Sequence, residues 1–538
     1  MRISLAVPFL LVLAVSAAPT MSLRLRGPHT ATEAQWRKTL AAIAANPGCC
    51  DEVWFSTGIG VPPVSWHREQ AARLAKAAED LRRLGIVPSL QVQATLGHSD
   101  NLSASEDCSA KAWTGWTGST GVEDRYCNCP RQPAFLAYVR EMSRADASFR
   151  PGSVWIDDDL RIGNHPPATN GSRLGCWCDT CIADFNAQEK AVWTRSALDA
   201  AMAKDAALAV RWKAFSVSSI ATVARAIAEE FHARSPETRM AFQHCFDLSS
   251  LDSVRVVASA LHEASCRKVG LRPGGGAYYD VNPMDQVVKS LAAARFRKTV
   301  GDLGFVDVWC PEVESWPRAY GSRSAQSALV ESFVAIAYGF NATSLLLLDT
   351  RYETDELYSR TILKPLADAA PVLKGYIAAN AESVPVGYTV PDGTAARLCR
   401  WAICGIPVLP GVGRDLGALS KRDLSLNVCS VGSATVQAAR DAHPAPAVLE
   451  SPFVGLMIPR VTEKGELRTV ALLNTRIDVQ GPVTVRLRGV PQGTAAVWRA
   501  LRQAPLALPV VRDGDVARVT VPEVGAWNAG YLDFTAKE

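Results

Sequence analysis

The chain has 538 residues, room for roughly two to four domains, and its 48% hydrophobic content supports buried cores and excludes an extended disordered chain. Lys and Arg number 57 against 53 Asp and Glu, so there is no cationic excess of the kind that marks a nucleic-acid binder, and no nucleic-acid partner is expected.

Residues 1–18 read as a secretory signal peptide. Arg2 supplies the positive end, Ile3 to Val15 is apolar, and Ser16-Ala17-Ala18 offers small residues for cleavage near Ala17 or Ala18. The apolar run is short for a membrane span, and no later stretch is longer. The expectation is a secreted or periplasmic protein with no membrane span.

From about Asp51 to Asp349, short β-type runs alternate with helical patterns. Asp51–Thr57 reads as the first strand, His67–Leu84 as a helix and Ile86–Val92 as the second strand. A third strand is placed near Val122–Tyr126. Ser153–Asp158, Arg239–Phe246, Lys268–Arg272, Val306–Cys310 and Ser344–Leu348 follow, with helices such as Ala206–Phe231 and Gln326–Tyr338 between them. This alternation predicts an α/β fold, a (β/α)8 TIM barrel over residues 19–380. Pro385–Val431 is mixed and rich in Gly/Pro turns, and predicts a small α/β domain over 381–450. From Pro452 the alternation is of β type (Val454–Ile458, Arg468–Leu473, Val483–Leu487, Val516–Val521), which predicts a C-terminal antiparallel β-sandwich over 451–538.

Two strands of the barrel end in acids. Val154-Trp-Ile runs into Asp157-Asp158-Asp159, and the seventh strand runs into Glu312-Val-Glu314. A buried carboxylate is costly unless paired, protonated or bound, and barrel enzymes place their reacting groups at the C-terminal strand ends. Strands four and seven face each other across the mouth. Glycoside hydrolysis needs two such carboxylates, one donating a proton to the leaving oxygen and one attacking the anomeric carbon or activating water.

These residues resemble glycoside hydrolase family 42, a β-galactosidase family of clan A. Trp155-Ile-Asp157-Asp158-Asp159 is similar to that family's Trp-x-x-Asp-Asn-Glu acid/base strand, and Cys176-Trp-Cys178-Asp-Thr-Cys181 to its Cys-x-Cys-x-x-Cys segment. Arg125-Tyr-Cys127-Asn-Cys129-Pro130 resembles its Arg-x-x-Cys-Pro segment, and Glu314-Ser-Trp-Pro317 its Glu-x-x-Pro nucleophile segment. A sister family of the clan fits as well. The resemblance implies Glu314 as nucleophile, Asp159 as acid/base, Asp158 at the Asn position that contacts the sugar 2-hydroxyl, and Tyr279 or Tyr278 as the Tyr that hydrogen-bonds the nucleophile. Glu312 competes with Glu314, sharing its strand parity, and otherwise binds substrate or an Arg. The departure is Asp-Asp-Asp for Asp-Asn-Glu. An Asp carboxyl sits roughly 1–1.5 Å further back than that of Glu, a distance that matters to catalysis. Three adjacent acids also repel, which is expected to raise the pKa of one. Asp157 and its neighbours are otherwise candidates to pair with Arg161 or Arg125.

Cys129, Cys176, Cys178 and Cys181 suit a closed tetrahedral zinc site of structural type. Cys127 is the rival fourth ligand, and disulfides such as Cys127–Cys176 are the alternative in an oxidising compartment. No organic cofactor is expected. Trp316, Trp113, Trp116 and Trp177 are candidates to stack on a sugar face, and His98, His165 and His244 to hydrogen-bond hydroxyls. Asp349 and Arg351 close the eighth strand and are candidates to grip a hydroxyl or carboxylate. The reading is a secreted, retaining, β-galactosidase-like glycosidase acting on a carbohydrate substrate, with an inverting glycosidase or a non-catalytic carbohydrate-binding relative as alternatives. A metal-dependent hydrolase is disfavoured, since no His-x-His ends the first strand. The mixed domain looks like a reduced version of the family's trimerisation domain, which makes a homo-trimer or homo-dimer the expected oligomer.

Overall fold

The computed structural model describes residues 20–58, 60–93, 95–97, 112–163, 173–245, 251–315, 322–348, 356–390, 394–418 and 444–534. Its first body is a parallel sheet. The strands are β1 (Met21–Leu25), β2 (Glu52–Ser56), β3 (Val87–Val92), β6 (Ser153–Ile156), β7 (Arg239–Cys245), β8 (Val269–Gly274), β9 (Val306–Trp309), β10 (Glu312–Glu314) and β11 (Thr343–Leu346). A two-stranded hairpin, β4 (Gly115–Thr117) with β5 (Glu123–Asn128), lies outside this sheet.

β9 and β10 are separated only by Cys310-Pro311. β9 pairs with β8 while β10 pairs with β11, and β11 pairs in turn with β1. The seventh strand is thus two pieces that join the ends of the sheet into a TIM-barrel-like ring. Two expectations are corrected. The first strand is Met21–Leu25 rather than Asp51–Thr57, which is the second. The segment near Val122–Tyr126 belongs to the hairpin, and the third strand is Val87–Val92. The two shifts cancel, so Ser153–Ile156 remains fourth and Val306–Glu314 seventh.

Side chains alternate along each strand. On β2, Val53 and Phe55 face the helix layer while Trp54 faces inward, where it stacks on Trp155 of β6 with ring centroids 4.4 Å apart. Gly270 makes room for that pair, because a Cβ there would lie 2.9 Å from the Trp155 ring. Below the tryptophans the floor is polar. Glu52 accepts hydrogen bonds from Ser22 Oγ (2.5 Å), Trp54 Nε1 (2.6 Å), Ser89 Oγ (2.6 Å) and Ser153 Oγ (2.5 Å). The inward polar groups of β1, β2, β3 and β6 therefore satisfy one another, and the charged groups higher up are stacked on a filled barrel.

The helices Val64–Arg83, Ala206–Arg234 and Ala325–Ala337 match the expected ones. Asp205 caps the second of these, accepting from the backbone N–H groups of Ala207 and Leu208. After the helix Lys364–Ala379 the chain forms two further sheets. One runs β13 (Arg414–Ala418), β12 (Val384–Thr389), β15 (Gly455–Val461), β16 (Leu467–Asn474), β22 (Ala529–Asp533), β18 (Ala496–Ala500), β19 (Leu506–Leu508). The other runs β14 (Ala447–Leu449), β17 (Val483–Arg488), β21 (Val516–Val521), β20 (Val511–Asp513). Both contribute to one apolar core, including Met457, Leu472, Val485 and Val519. β12 pairs antiparallel with β15, so the described strands of the mixed region extend the C-terminal sheet. No helix among the described residues is long and apolar enough to cross a membrane.

Candidate active site

Strand parity aims Ser153, Trp155 and Asp157 of the fourth strand inward, while Val154 and Ile156 pack outward. The strand ends at Ile156, and a turn closed by Leu160 N–H to the Asp157 carbonyl (3.2 Å) carries the three acids. Each acquires a different environment. Asp157 Oδ2 accepts from Gln91 Nε2 (3.0 Å) and Gln93 Nε2 (2.9 Å), and its Oδ1 from the Asp158 N–H (3.1 Å), with Arg272 Nη2 at 3.7 Å. Asp157 is pinned by neighbours on every side. Asp158 accepts the Cys245 thiol at the end of β7. Burial pushes that thiol up, and the Asp158 charge adds to the effect, so it stays a donor. Asp159 is buried, with Arg161 Nη2 at 4.0 Å from its Oδ1.

The expectation that crowding raises an acid's pKa fails at Asp158. Burial pushes its carboxyl up, but Arg161 and Arg272 outweigh burial and hold it below the usual range. The arginines win because one, Arg161, follows in the same turn and the other, Arg272, reaches over from β8.

Across the mouth, β10 aims Glu312 and Glu314 inward, both buried. Arg24 of β1 bridges them, with Nη1 3.0 Å from Glu314 Oε2 and 3.8 Å from Glu312 Oε1, while its Nε donates to Gln91 Oε1 (3.1 Å). Glu312 is heavily engaged. Its Oε1 meets the fully buried Arg272, and its Oε2 accepts from the Gly275 N–H (2.8 Å) and the Tyr278 hydroxyl (3.2 Å), with Lys289 Nζ at 3.9 Å. Burial alone would push this carboxyl up. Arg272, Lys289 and Arg24 overcome it and hold Glu312 far below the ordinary carboxylate range. Gly274 is required here by space, since a Cβ would sit 2.6 Å from that of Glu312 and 2.7 Å from Arg272 Nη1. The Gly274-Gly275-Gly276 run is thus the close approach that delivers Tyr278 to Glu312.

The Tyr–nucleophile bond implied by the resemblance falls on Glu312 rather than Glu314. Tyr278 is the tyrosine involved. Tyr279 is 46% exposed, and among the described residues its hydrogen bond uses its backbone carbonyl (Gln286 Nε2, 3.5 Å). Burial and the charges of Glu312 and Glu314 push the Tyr278 phenol up, which keeps it a donor. Behind β10, Arg323 Nη1 donates to the Glu314 carbonyl (2.6 Å) and pairs with Glu331, which Lys289 approaches at 3.3 Å. Asp157 of strand four and Glu312 of strand seven therefore converge on a single guanidinium, that of Arg272.

Trp316, His98, His165, Asp349 and Arg351 lie outside the described residues, as does the Arg125 side chain. Three aromatics proposed for sugar stacking are packed instead. Trp177 is buried against Trp212 at 4.5 Å, Trp116 is buried, and Trp113 donates to Asn128 Oδ1 (2.8 Å) beside Phe135 and Tyr138. His244 is buried against Phe296 at 5.3 Å. Arg24, Gln91, Gln93, Arg272, Lys289, Cys245 and Arg323 were not foreseen. The available signal was parity: Arg24 and Gln91 share the inward face of their strands with Ser22 and Ser89, while Leu23, Leu25, Leu90 and Val92 pack outward.

Next to the fourth strand, Cys129, Cys176, Cys178 and Cys181 form a buried group whose sulfurs all lie within 4.8 Å of one another. Cys129 Sγ is 3.4 Å from Cys178 Sγ and 3.5 Å from Cys181 Sγ. These spacings are far longer than an S–S bond of ~2.05 Å, and they approach the ~3.8 Å edge of a thiolate tetrahedron around zinc at ~2.3 Å. The Thr117 N–H reaches Cys176 Sγ (3.4 Å) and Gln132 Nε2 reaches Cys178 Sγ (3.8 Å), as donors to thiolates would. The group could hold a metal ion. Cys127 is excluded from it, its thiol pointing at the Gly97 carbonyl (3.7 Å).

No protein-family model matches the chain, and no curated protein matches it in sequence. Solved structures match it in fold. An α-L-fucosidase, isoenzyme 2 from Paenibacillus thiaminolyticus, superposes with a TM-score of 0.60 at 11% identity over 96% of this chain and 100% of its own. A cold-adapted β-galactosidase from a Rahnella species gives 0.60 at 12% identity over 96% and 98%. A GH42 β-galactosidase from G. stearothermophilus gives 0.58 at 10% identity over 96% and 98%. The chain has the fold of TIM-barrel glycoside hydrolases of the GH42 type or a sister group, along nearly its whole length.

Proposed function

We propose that the protein is a glycoside hydrolase that cleaves β-linked glycosides by a retaining two-carboxylate mechanism, with Glu314 as nucleophile and Asp159 as acid/base. The observation that supports this reading is the meeting of Asp157 and Glu312 on Arg272, with Glu314 held by Arg24 beside them, in a barrel of glycosidase fold. Asp157 is saturated by Gln91, Gln93 and the Asp158 N–H, and Asp158 is held ionised by arginines; Asp159 stands at the position where the resemblance puts the acid/base. Arg24 orients the Glu314 carboxylate, whereas Glu312 is committed to Arg272, Gly275 and Tyr278. In this scheme Asp159 protonates the leaving oxygen as Glu314 attacks the anomeric carbon, and Asp159 then takes a proton from the water that releases the sugar.

A second reading makes Glu312 the nucleophile, and the 3.2 Å bond from Tyr278 favours it. The galactosidases and the fucosidase among the structural neighbours make β-galactosides and α-L-fucosides the first substrates to try. The test is hydrolysis of a panel of activated aryl glycosides by wild type, Glu314→Gln and Glu312→Gln. Loss of turnover in Glu314→Gln alone supports the first scheme. Absence of turnover by wild type with sugar binding retained supports a non-catalytic carbohydrate-binding protein.

Zinc is the metal we assign to the four thiolates, where it would clamp the strand-four loop to the hairpin without an open position for water. We further propose export by an N-terminal signal over residues 1–18, a reading helped by the start of β1 at Met21. Division into a barrel to 380, a mixed segment to 450 and a β-sandwich to 538, and assembly as a trimer or dimer, complete the proposal. N-terminal sequencing of exported protein and light scattering test the first and last of these.

A further inference from the structure

We propose that the cleft between the barrel and the C-terminal sheet is a binding site for a small molecule bearing an oxyanion, a carboxylate or a phosphate, held by Arg297 and Arg460. The cavity has a volume of about 380 Å³ and brings together the helix Met284–Val300, the turn at Gly339–Asn341, the linker after Lys364–Ala379, and β15. Its lining contains two arginines and neither Asp nor Glu.

Arg460 is 6% exposed, and every group it grips is neutral: Ser383 Oγ (3.2 Å) and the carbonyls of Ala337 (3.1 Å), Asn380 (3.5 Å) and Ser383. Arg297 donates through Nη1 to the Gly339 carbonyl and lies 5.2 Å over the Trp309 ring. Among the described residues its Nε and Nη2 have no hydrogen-bond partner. Burial and the Arg460 charge push Arg297 down to about 10, and burial lowers Arg460 as well. Asp302 outside the lining offsets only part of the charge on Arg297, so two guanidinia facing one cavity with no acid in its lining are costly, and an anion between them removes that cost.

The amide side chains of the lining are already engaged. Asn341 bonds the Asp307 carbonyl (2.7 Å) and the Trp309 N–H (2.8 Å), and Asn380 bonds Tyr376, Ser383 and Thr469. With Arg460 Nε, Nη1 and Nη2 already donating to Ser383, Ala337 and Asn380, recognition rests on the Nε–Nη2 edge of Arg297, which suits planar carboxylates and phosphates, and Arg460 adds its charge. The volume is larger than a bare phosphate needs and falls in the lower range for small-molecule sites. An occupant here touches barrel, linker and sheet at once, so binding should stiffen their junction.

The test is thermal unfolding of the full chain in rising sodium phosphate or sodium glucuronate, with sodium chloride at matched ionic strength as the control. Wild type should show a saturable rise in Tm with at least one of the two anions and none with chloride. The anion that acts identifies the phosphate or carboxylate source. Arg297→Gln should weaken the response roughly tenfold or more. Val412→Glu, at a 47% exposed lining position, supplies an internal carboxylate and should abolish the response while the fold is kept. If Arg297→Gln does not fold, the Val412→Glu result decides. No saturable response in wild type, or an undiminished response in the variants, overturns the proposal whatever the outcome for the glycosidase reading.

Discussion

Replacing Glu312 by Gln separates the two acids of β10 by what each does. The change keeps volume and removes one charge. Arg272, 1% exposed, then keeps Asp157, with Oδ1 at 3.7 Å, and the Asp158 charge. The new amide must also turn its NH2 toward either Arg272 or the Gly275 N–H and Tyr278 hydroxyl, all of which are donors. Breaking a buried pair on one side costs about 3–5 kcal/mol. At ~2 °C per kcal/mol for a large domain, that is a fall of about 6–10 °C in Tm. Glu314→Gln weakens the 3.0 Å bond from Arg24, which still has Gln91 and the Glu312 charge at 3.8 Å, so the cost is about 1–3 kcal/mol. Activity should order the other way, with Glu314→Gln losing on the order of 10⁴-fold or more in kcat. Circular-dichroism melts and aryl-glycoside kinetics on both variants read this out. A Glu312→Gln protein as stable as wild type, or a Glu314→Gln protein with near-normal turnover, refutes the division of roles.

Three other outcomes are expected. Asp159→Asn should lose most activity on substrates with poor leaving groups and far less on dinitrophenyl glycosides, with the alkaline limb of the pH–rate profile removed; uniform loss across leaving groups contradicts an acid role. The purified protein should carry one zinc per chain by elemental analysis, and Cys178→Ser should lower both zinc content and Tm; full stability after chelation argues against the site. Because the Glu312 pKa is depressed in the folded state, its contribution is fully present above the unfolded carboxylate value of ~4.3 and is lost as pH falls through the folded value. The Tm gap between wild type and Glu312→Gln should therefore hold steady above about pH 5 and narrow in more acid solution.

What was legible in the sequence was local. The strand at Ser153–Ile156 and the split seventh strand announce themselves as apolar runs that stop at acids, and the three close-set cysteines of the cluster are visible as a spacing. β17, β18 and β21 alternate cleanly because one face lies on the core, whereas β15, β16 and β22 are buried on both faces and read as apolar runs. β1 was missed because Met21-Ser-Leu-Arg-Leu25 is only five residues long and carries a charge at its centre. That charge makes sense only once the barrel closes, when Arg24 meets Glu314 across 290 residues of sequence. Glu123–Asn128 passed for a barrel strand because it is extended, yet its partner is the local β4. The roles of Glu312 and Tyr278 were out of reach for the same reason as Arg24. Their partners Arg272 and Gly275 come from the neighbouring strand, and only the folded register brings them together.

The most direct test of the central claim is covalent trapping. A 2-deoxy-2-fluoro glycoside with an activated leaving group, matched to the best substrate of the panel, should leave a stable adduct on a peptide containing Glu314. Proton NMR of the uninhibited reaction should then show the β-anomer released first from a β-linked substrate. An adduct on Glu312, or first release of the α-anomer, contradicts the account.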